Sequence, residues 1–280
     1  MKDKPILVFQ TDFTYKEGAV SAMYGVVKTV DRELEIFTGS HEVPHFDAWS
    51  ASYRLWQTVR FWPKGTVFVS VVDPGVGTDR RACAAETRDG YFIFTPDNGS
   101  LTHVAAWHGI KAVREIDLKN RRPQGAGSAV FDGRDLFGYN AARFASKQIS
   151  FEELGDEYSP DEIITLPMPE AQVQKDRIEG YFEIADPNFG NLWSNITAED
   201  FAEAGFNYGD VLKLRVFCGG ELRYFEEMPY VKAFGAVEKG KPIIYTNELV
   251  RISAALCEDN MMEKLGLGYG PEWTVIIERT

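Results

Sequence analysis

Thr66-Val67-Phe68-Val69-Ser70-Val71-Val72-Asp73-Pro74-Gly75-Val76-Gly77-Thr78-Asp79-Arg80-Arg81, residues 66–81, opens as a nearly unbroken β-branched and aromatic run and closes as a loop containing proline and glycine. A run without polar alternation suits a strand buried on both faces, as in an α/β sheet covered by helices. Such sheets place ligands at the C-terminal ends of their strands. In the loop that follows, Pro74 stiffens the turn and Gly75 and Gly77 allow close backbone approach. Asp73 and Arg80 can therefore face one pocket, although an ion-paired structural loop is an equal reading of the spacing alone. Arg80 stands where a third glycine of G-x-G-x-x-G would be, and no Walker lysine pattern exists, so a phosphate cradle is not supported.

On the N-terminal side, residues 6–9 read as a first buried strand, and Val20, Met23, Val26, Val27 and Val30 recur at helical spacing. Residues 34–37 read as another strand, and Asp47 is placed to cap a helix running toward Phe61. On the C-terminal side, residues 82–86 and 91–95 flank Asp89-Gly90, a hairpin signal, and a helical pattern resumes over residues 134–146. These alternations predict an α/β N-terminal domain, residues 1–168, with a central, mostly parallel sheet flanked by helices. Pro167 and Pro169 mark a linker, after which helical patterns become scarce. Apolar runs at residues 181–184, 211–217, 242–245 and 273–277, separated by turn residues, predict a smaller C-terminal antiparallel β-barrel domain, residues 169–280.

With 280 residues, of which 44% are hydrophobic, the chain can bury substantial cores, so disorder is a poor reading. A net charge of −12 without any basic cluster argues against nucleic acid and membrane surfaces as partners. Cys83, Cys218 and Cys257 form no even set and no CxxC pair, which points to reduced thiols in a cytoplasmic protein and away from cysteine-held zinc. Residues 1–10 are too short for a signal-peptide core or a membrane span. His41, His45, His103 and His108 form no HExxH pair and stand near no serine elbow, so hydrolytic zinc and triad chemistry have no foothold.

Three further segments place carboxylates at strand exits or helix starts: Gln10-Thr11-Asp12-Phe13, Pro96-Asp97-Asn98-Gly99 and Phe131-Asp132-Gly133-Arg134-Asp135. Each alone is better read as a cap or turn; their repetition is what suggests a site. In the second half, the stretch Asp186-Pro187-Asn188-Phe189-Gly190-Asn191-Leu192-Trp193-Ser194-Asn195 combines aromatic faces with amide and carboxylate groups suited to a purine and a ribose. Composition alone fits a β-turn beside a core tryptophan better.

Taken in order, these segments resemble the S-adenosylmethionine hydroxide adenosyltransferases, relatives of the bacterial fluorinase and chlorinase. The resemblance rests on Val72-Asp73-Pro74-Gly75-Val76-Gly77-Thr78 with Arg80, on Pro96-Asp97-Asn98-Gly99, on Gly133-Arg134-Asp135, and on Phe189-Gly190-Asn191 followed by Trp193 and Asn195. It spans nearly the whole chain. What it implies is an S-adenosylmethionine hydrolase that displaces methionine from the 5′ carbon with water or hydroxide, giving adenosine. It also implies a homotrimer with sites formed between neighbouring subunits, no metal, and no cofactor beyond the substrate itself. By the resemblance, Asp73 and Arg80 hold the attacking water and Asp12 binds the ribose under the aromatic cover of Phe46. Asp186 and Asn191 are expected at the methionine ammonium and the adenine, with Phe131, Phe189 and Trp193 as further substrate-binding positions.

The chain departs from the family pattern at three positions. Asp132 stands where the hydrolases have histidine, Glu17 where a shorter acidic residue is usual, and Glu248 in place of a serine near the methionine carboxylate. If Asp132 joins Asp73 and Arg80 as a catalytic residue, two carboxylates share one cation, one of them holds a proton, and the pair can act as a general base. The same two carboxylates are expected to repel a halide nucleophile. Two alternatives remain beside the hydrolase: a protein that binds adenosine or S-adenosylmethionine without turnover, and a relative acting on another 5′-substituted adenosine or using halide.

Overall fold

The computed structural model describes residues 4–123 and 130–279, and the chain divides into two units, Met1–Leu166 and Pro167–Thr280. The N-terminal unit is built from β1 (Leu7–Thr11), α1 (Ala19–Val30), β2 (Ile36–Ser40), α2 (Ala48–Val59), β3 (Val67–Val71), β4 (Ala82–Thr87), β5 (Phe92–Pro96), α3 (Thr102–His108), β6 (Ile110–Glu115), α4 (Tyr139–Ala145) and β7 (Glu157–Tyr158). Its seven strands lie in the order β2-β1-β3-β5-β4-β6-β7. Strands β2, β1, β3 and β5 are mutually parallel, and β6, antiparallel to β4, points the same way as they do. The sheet is therefore mostly parallel, with β4 and β7 reversed.

Every residue of β1 and of β3 is buried, as an unbroken apolar run requires. Leu7, Phe9, Val67, Val69 and Val71 pack on one face against Met23 and Val27 of α1 and Leu136, Phe137, Ala141 and Ala142 in and before α4. Burying a side chain such as Phe9 fully contributes about 1.5–3 kcal/mol. Asp47 caps α2 as the sequence predicts, its carboxylate accepting the Ser50 N–H at 2.9 Å. The expected hairpin forms between β4 and β5, and Gly90 takes the positive φ of 87° that its turn needs.

The C-terminal unit contains β8 (Gln172–Gln174), β9 (Arg177–Ala185), β10 (Leu192–Thr197), α5 (Ala198–Glu203), β11 (Val211–Cys218), β12 (Glu221–Pro229), β13 (Pro242–Thr246), β14 (Arg251–Leu256), α6 (Met261–Leu265) and β15 (Trp273–Arg279). The strand order is β12-β11-β15-β9-β10-β14-β13, with β8 added on β9, and all neighbours are antiparallel. A bridge from Tyr230, just past β12, to Ile244 of β13 brings the two ends of this order together, so the sheet is a nearly closed barrel. Ile178, Phe182, Leu192, Leu212, Leu214, Ile244, Ile252 and Val275 fill its core.

Candidate functional site

Strand β3 ends at Val71, and Asp73 leaves it into a tight turn in which the Val76 N–H donates to the Asp73 carbonyl at 3.3 Å. Gly75 leaves room here: a Cβ would come within 3.1 Å of Cγ of Arg80, whose stem folds back across the turn and would have to give way. Arg80 Nε then donates to Asp73 Oδ1 at 2.9 Å, and Nη2 reaches both Asp73 Oδ2 and, at 2.8 Å, Asp132 Oδ2. The guanidinium carbon lies 5.3 Å from the ring centroid of Phe137, so its underside is apolar. Burial works against the charge on Arg80, but the contacts with Asp73 and Asp132 hold its pKa above the ordinary arginine value. It is a fixed cation.

Asp132 precedes a π-helical turn, Gly133–Gly138, that runs into α4. Its second oxygen, Oδ1, accepts from Nη2 of Arg121. Arg80 is shared by Asp73 and Asp132, as the sequence reading expects, but a second guanidinium, Arg121, joins Asp132, so that cations and carboxylates alternate. A cavity of about 730 Å³ opens on Arg80, Arg121 and Asp132.

The supporting carboxylates serve the scaffold. Asn98 donates to the Val72 carbonyl at 2.9 Å and so pins the backbone just ahead of Asp73. Asp97 is buried and accepts from Tyr158 Oη at 3.1 Å and the Ile164 N–H at 2.9 Å, with Arg81 Nε 3.2 Å away. Asp135, also buried, pairs with Arg134 and Arg122.

Asp12, at the end of β1, is nearly buried, and its Oδ2 accepts the backbone N–H of Phe46 at 3.0 Å. Phe46 holds a positive φ of 65° and leaves its ring 71% exposed beside that carboxylate, as a cover over a ligand would be. Phe131 meets Phe13 edge-on at 5.8 Å, and Gly133 packs against the same Phe13 ring, which ties the Asp12 segment to the Asp132 segment. Glu17 stands apart: it is exposed and accepts the Ala19 N–H at 3.1 Å at the start of α1.

In the C-terminal unit, Asp186, Phe189 and Asn191 belong to one turn between β9 and β10, in which the Gly190 N–H donates to the Asp186 carbonyl at 2.7 Å. Gly190 has φ +70°, and a Cβ there would lie 1.9 Å from the side-chain oxygen of Asn260. This turn borders a cleft of about 690 Å³ whose wall includes Phe189, Asn191, Phe234, Leu256 and Asn260. Phe189 is 68% exposed. Trp193 does not join the cleft wall; it is buried and its indole N–H donates to Tyr245 Oη at 3.2 Å. Glu248 is exposed between β13 and β14.

Arg121, Phe234 and Asn260 were not anticipated. Arg121-Arg122 carried a usable signal, a tandem of cations answering Asp132 and Asp135 three residues apart. Asn260 caps α6 by accepting the Glu263 N–H at 2.9 Å, a bland role that hides its position at the cleft. Among the described residues, no group of His, Cys, Asp or Glu side chains is arranged to hold a metal ion, and no helix is long and apolar enough to cross a membrane.

Comparison with known proteins gives a consistent result. Family models of the SAM hydroxide adenosyltransferase N-terminal and C-terminal domains match residues 7–155 and 180–274. The chain is 30% identical to an (R)-S-adenosyl-L-methionine hydrolase from Salinispora tropica over 96% of its length and 97% of the relative's. It is 25% identical to a fluorinase from Actinopolyspora mzabensis, covering 90% of each. A crystal structure of an uncharacterized conserved protein from Thermotoga maritima superposes with a TM-score of 0.86 at 30% identity, covering 98% of this chain and all of that one.

Proposed function

Since the chain belongs to the SAM hydroxide adenosyltransferase family, we propose that it hydrolyses S-adenosylmethionine to adenosine and L-methionine. The observation that carries this reading is the fixed cluster of Asp73, Arg80 and Asp132 at the C-terminal end of the buried strand β3. The oxygen of water attacks the 5′ carbon, the carbon–sulfur bond breaks, and its electron pair goes to sulfur, which loses its positive charge. Because departure neutralises the sulfonium, little acid catalysis is needed and the enzyme's task is to align the nucleophile and exclude bulk water. Asp73 accepts a hydrogen bond from the water and takes its proton as the new bond forms. Arg80 stabilises the hydroxide character that develops on the oxygen. In the N-terminal unit Asp12, Phe46 and Phe131 serve the ribose; in the C-terminal unit the turn bearing Asp186, Phe189 and Asn191 serves the adenine and the ammonium group, the two sets coming from neighbouring subunits.

The chemistry calls for no resident metal or cofactor. A homotrimer with sites between neighbouring subunits and a cytoplasmic location belong to the same reading, the latter supported by three free cysteines. A binding protein without turnover is the second reading, favoured by Asp132 standing in the place of histidine.

Incubation with S-adenosylmethionine, with and without chloride, followed by chromatography, tests the proposal. Catalytic release of adenosine and methionine in both buffers supports it. Saturable binding without product moves the assignment to the second reading, and product only from decarboxylated S-adenosylmethionine makes Glu248 a determinant of the tail.

A further inference from the structure

We propose that Arg121 is a positioning residue for the reaction: by pairing with Asp132 it keeps Arg80 seated on Asp73. The inference rests on the hydrolase reading for its kinetic consequences and on the ion-pair geometry for its structural ones.

Nη2 of Arg80 is contested. It faces Asp73 Oδ2 and, at 2.8 Å, Asp132 Oδ2, while only Nε, at 2.9 Å from Asp73 Oδ1, belongs to Asp73 alone. The Arg80 side chain is 11% exposed, and those of Asp73 and Asp132 are 6% exposed, so water screens this competition poorly. Without Arg121 the three groups carry a net charge of −1, and the whole charge of Asp132 acts on Arg80, drawing the guanidinium out of its two-point contact with Asp73. With Arg121 on Asp132 Oδ1, the four charges alternate in sign and sum to zero. Each carboxylate then has its own cation, and Arg80 keeps the orientation that aims it at the nucleophile.

Two observations separate this role from packing. Arg121 is anchored independently of Asp132: its N–H donates to the Leu118 carbonyl at 3.0 Å, and the N–H of Arg122 donates to the Asp135 carbonyl at 2.9 Å. The guanidinium is thus delivered to Asp132 by a fixed backbone. The other terminal nitrogen of Arg121, Nη1, is buried with no hydrogen-bond partner among the described residues. Among the described residues the hydrogen bonding of the guanidinium is thus directed to Asp132.

The test is a cycle of four proteins: wild type, Arg121→Ala, Asp132→Asn and the double variant, with Arg121→Lys added to keep a cation should the alanine variant fold poorly. Arg121→Ala is expected to lower kcat for S-adenosylmethionine by about tenfold or more with KM within about twofold, because the loss is confined to transition-state alignment. Asp132→Asn is expected to lower kcat in the wild type but to cost much less in the Arg121→Ala background, since both substitutions break the same pairing and the second removes the uncompensated charge left by the first. Arg121→Lys is expected to retain more activity than Arg121→Ala. An unchanged kcat in folded Arg121→Ala, or losses in the double variant that are simply additive, overturns the proposal. If the wild-type protein releases no adenosine, the hydrolase reading fails by itself. The pairing is then read from melting temperatures of the same four proteins: compensation in the double variant upholds it, and simple additivity overturns it.

Discussion

Replacing Glu183 by glutamine isolates what a buried acid costs the C-terminal barrel. Glu183 lies on β9 and is 1% exposed. Burial pushes its carboxyl up from 4.5 to about 7, with the Arg251 guanidinium pulling the other way. A carboxyl whose folded pKa exceeds its unfolded value keeps its proton in the native state while the unfolded chain releases it. Stability is therefore full below about pH 4.5 and is lost as pH rises through about 7, above which the loss is constant. The span from 4.5 to about 7 corresponds to about 3 kcal/mol, at about 1.4 kcal/mol per pH unit. Glutamine imitates the protonated form at all pH values. Glu183→Gln should match wild type near the lower end of this range and exceed it by about 3 kcal/mol at about pH 8. Urea unfolding followed by tryptophan fluorescence, with Trp193 and Trp273 in this unit, measures the difference at each pH. A pH-independent offset, or a glutamine variant less stable than wild type at the upper end, refutes the reasoning.

Asp73→Asn and Arg80→Ala should each lower turnover by about 100-fold or more while adenosine still binds, measured by calorimetry beside the chromatographic assay; equal loss of binding removes them from the chemistry. Gly190→Ala places a Cβ 1.9 Å from Asn260 Oδ1 in a residue with φ +70°, so adenosine affinity should fall with turn rearrangement, and unaltered affinity would show that this turn is not part of the ligand cleft. His41 is held between Thr11 Oγ1 and Tyr24 Oη, and burial lowers its pKa from 6.5 to about 4. Its contribution is present above about 6.5 and is lost as pH falls toward 4, the opposite slope to Glu183, so His41→Gln should flatten the acid limb of the unfolding curve.

The fold was legible where burial and local chemistry agree. The run at β3, the helical spacing of α1, the Asp47 cap and the Asp89-Gly90 hairpin each carry their own signal, and each is found in place. Strand β12 was hidden because Glu221, Arg223, Glu226 and Glu227 face solvent on an edge strand, leaving no apolar alternation to read. At the candidate site, the cluster of Asp73, Arg80 and Asp132 was legible because all three sit at strand or helix ends. Arg121 was not, because its meaning depends on a carboxylate eleven residues away, and pattern reading weighs neighbours along the chain rather than across a turn. Trp193 is an aromatic in a ligand-like stretch whose alternation on β10 sets it on the face opposite the core residues Leu192 and Ile196, where it is buried and donates to Tyr245 instead of lining the cleft.

The second guanidinium changes the grounds on which water is preferred to halide. Two bare carboxylates would repel an anion by charge, but Asp73, Arg80, Asp132 and Arg121 together are neutral, so that repulsion is largely cancelled. What survives is directional. A carboxylate oxygen offers only lone pairs, and a nucleophile facing it must bring a hydrogen to donate. Water brings two and can satisfy Asp73 while its own lone pair points at carbon; a halide brings none and would set lone pairs against lone pairs in a site with little solvent to intervene. Neutralising Asp73 as asparagine weakens this discrimination, because the amide can present N–H groups to an anion, without disturbing the charge on Arg80. In the proposed hydrolase, selection for water would thus reside in the acceptor character of one side chain, and the neutrality contributed by Arg121 would keep the cation facing the nucleophile in place.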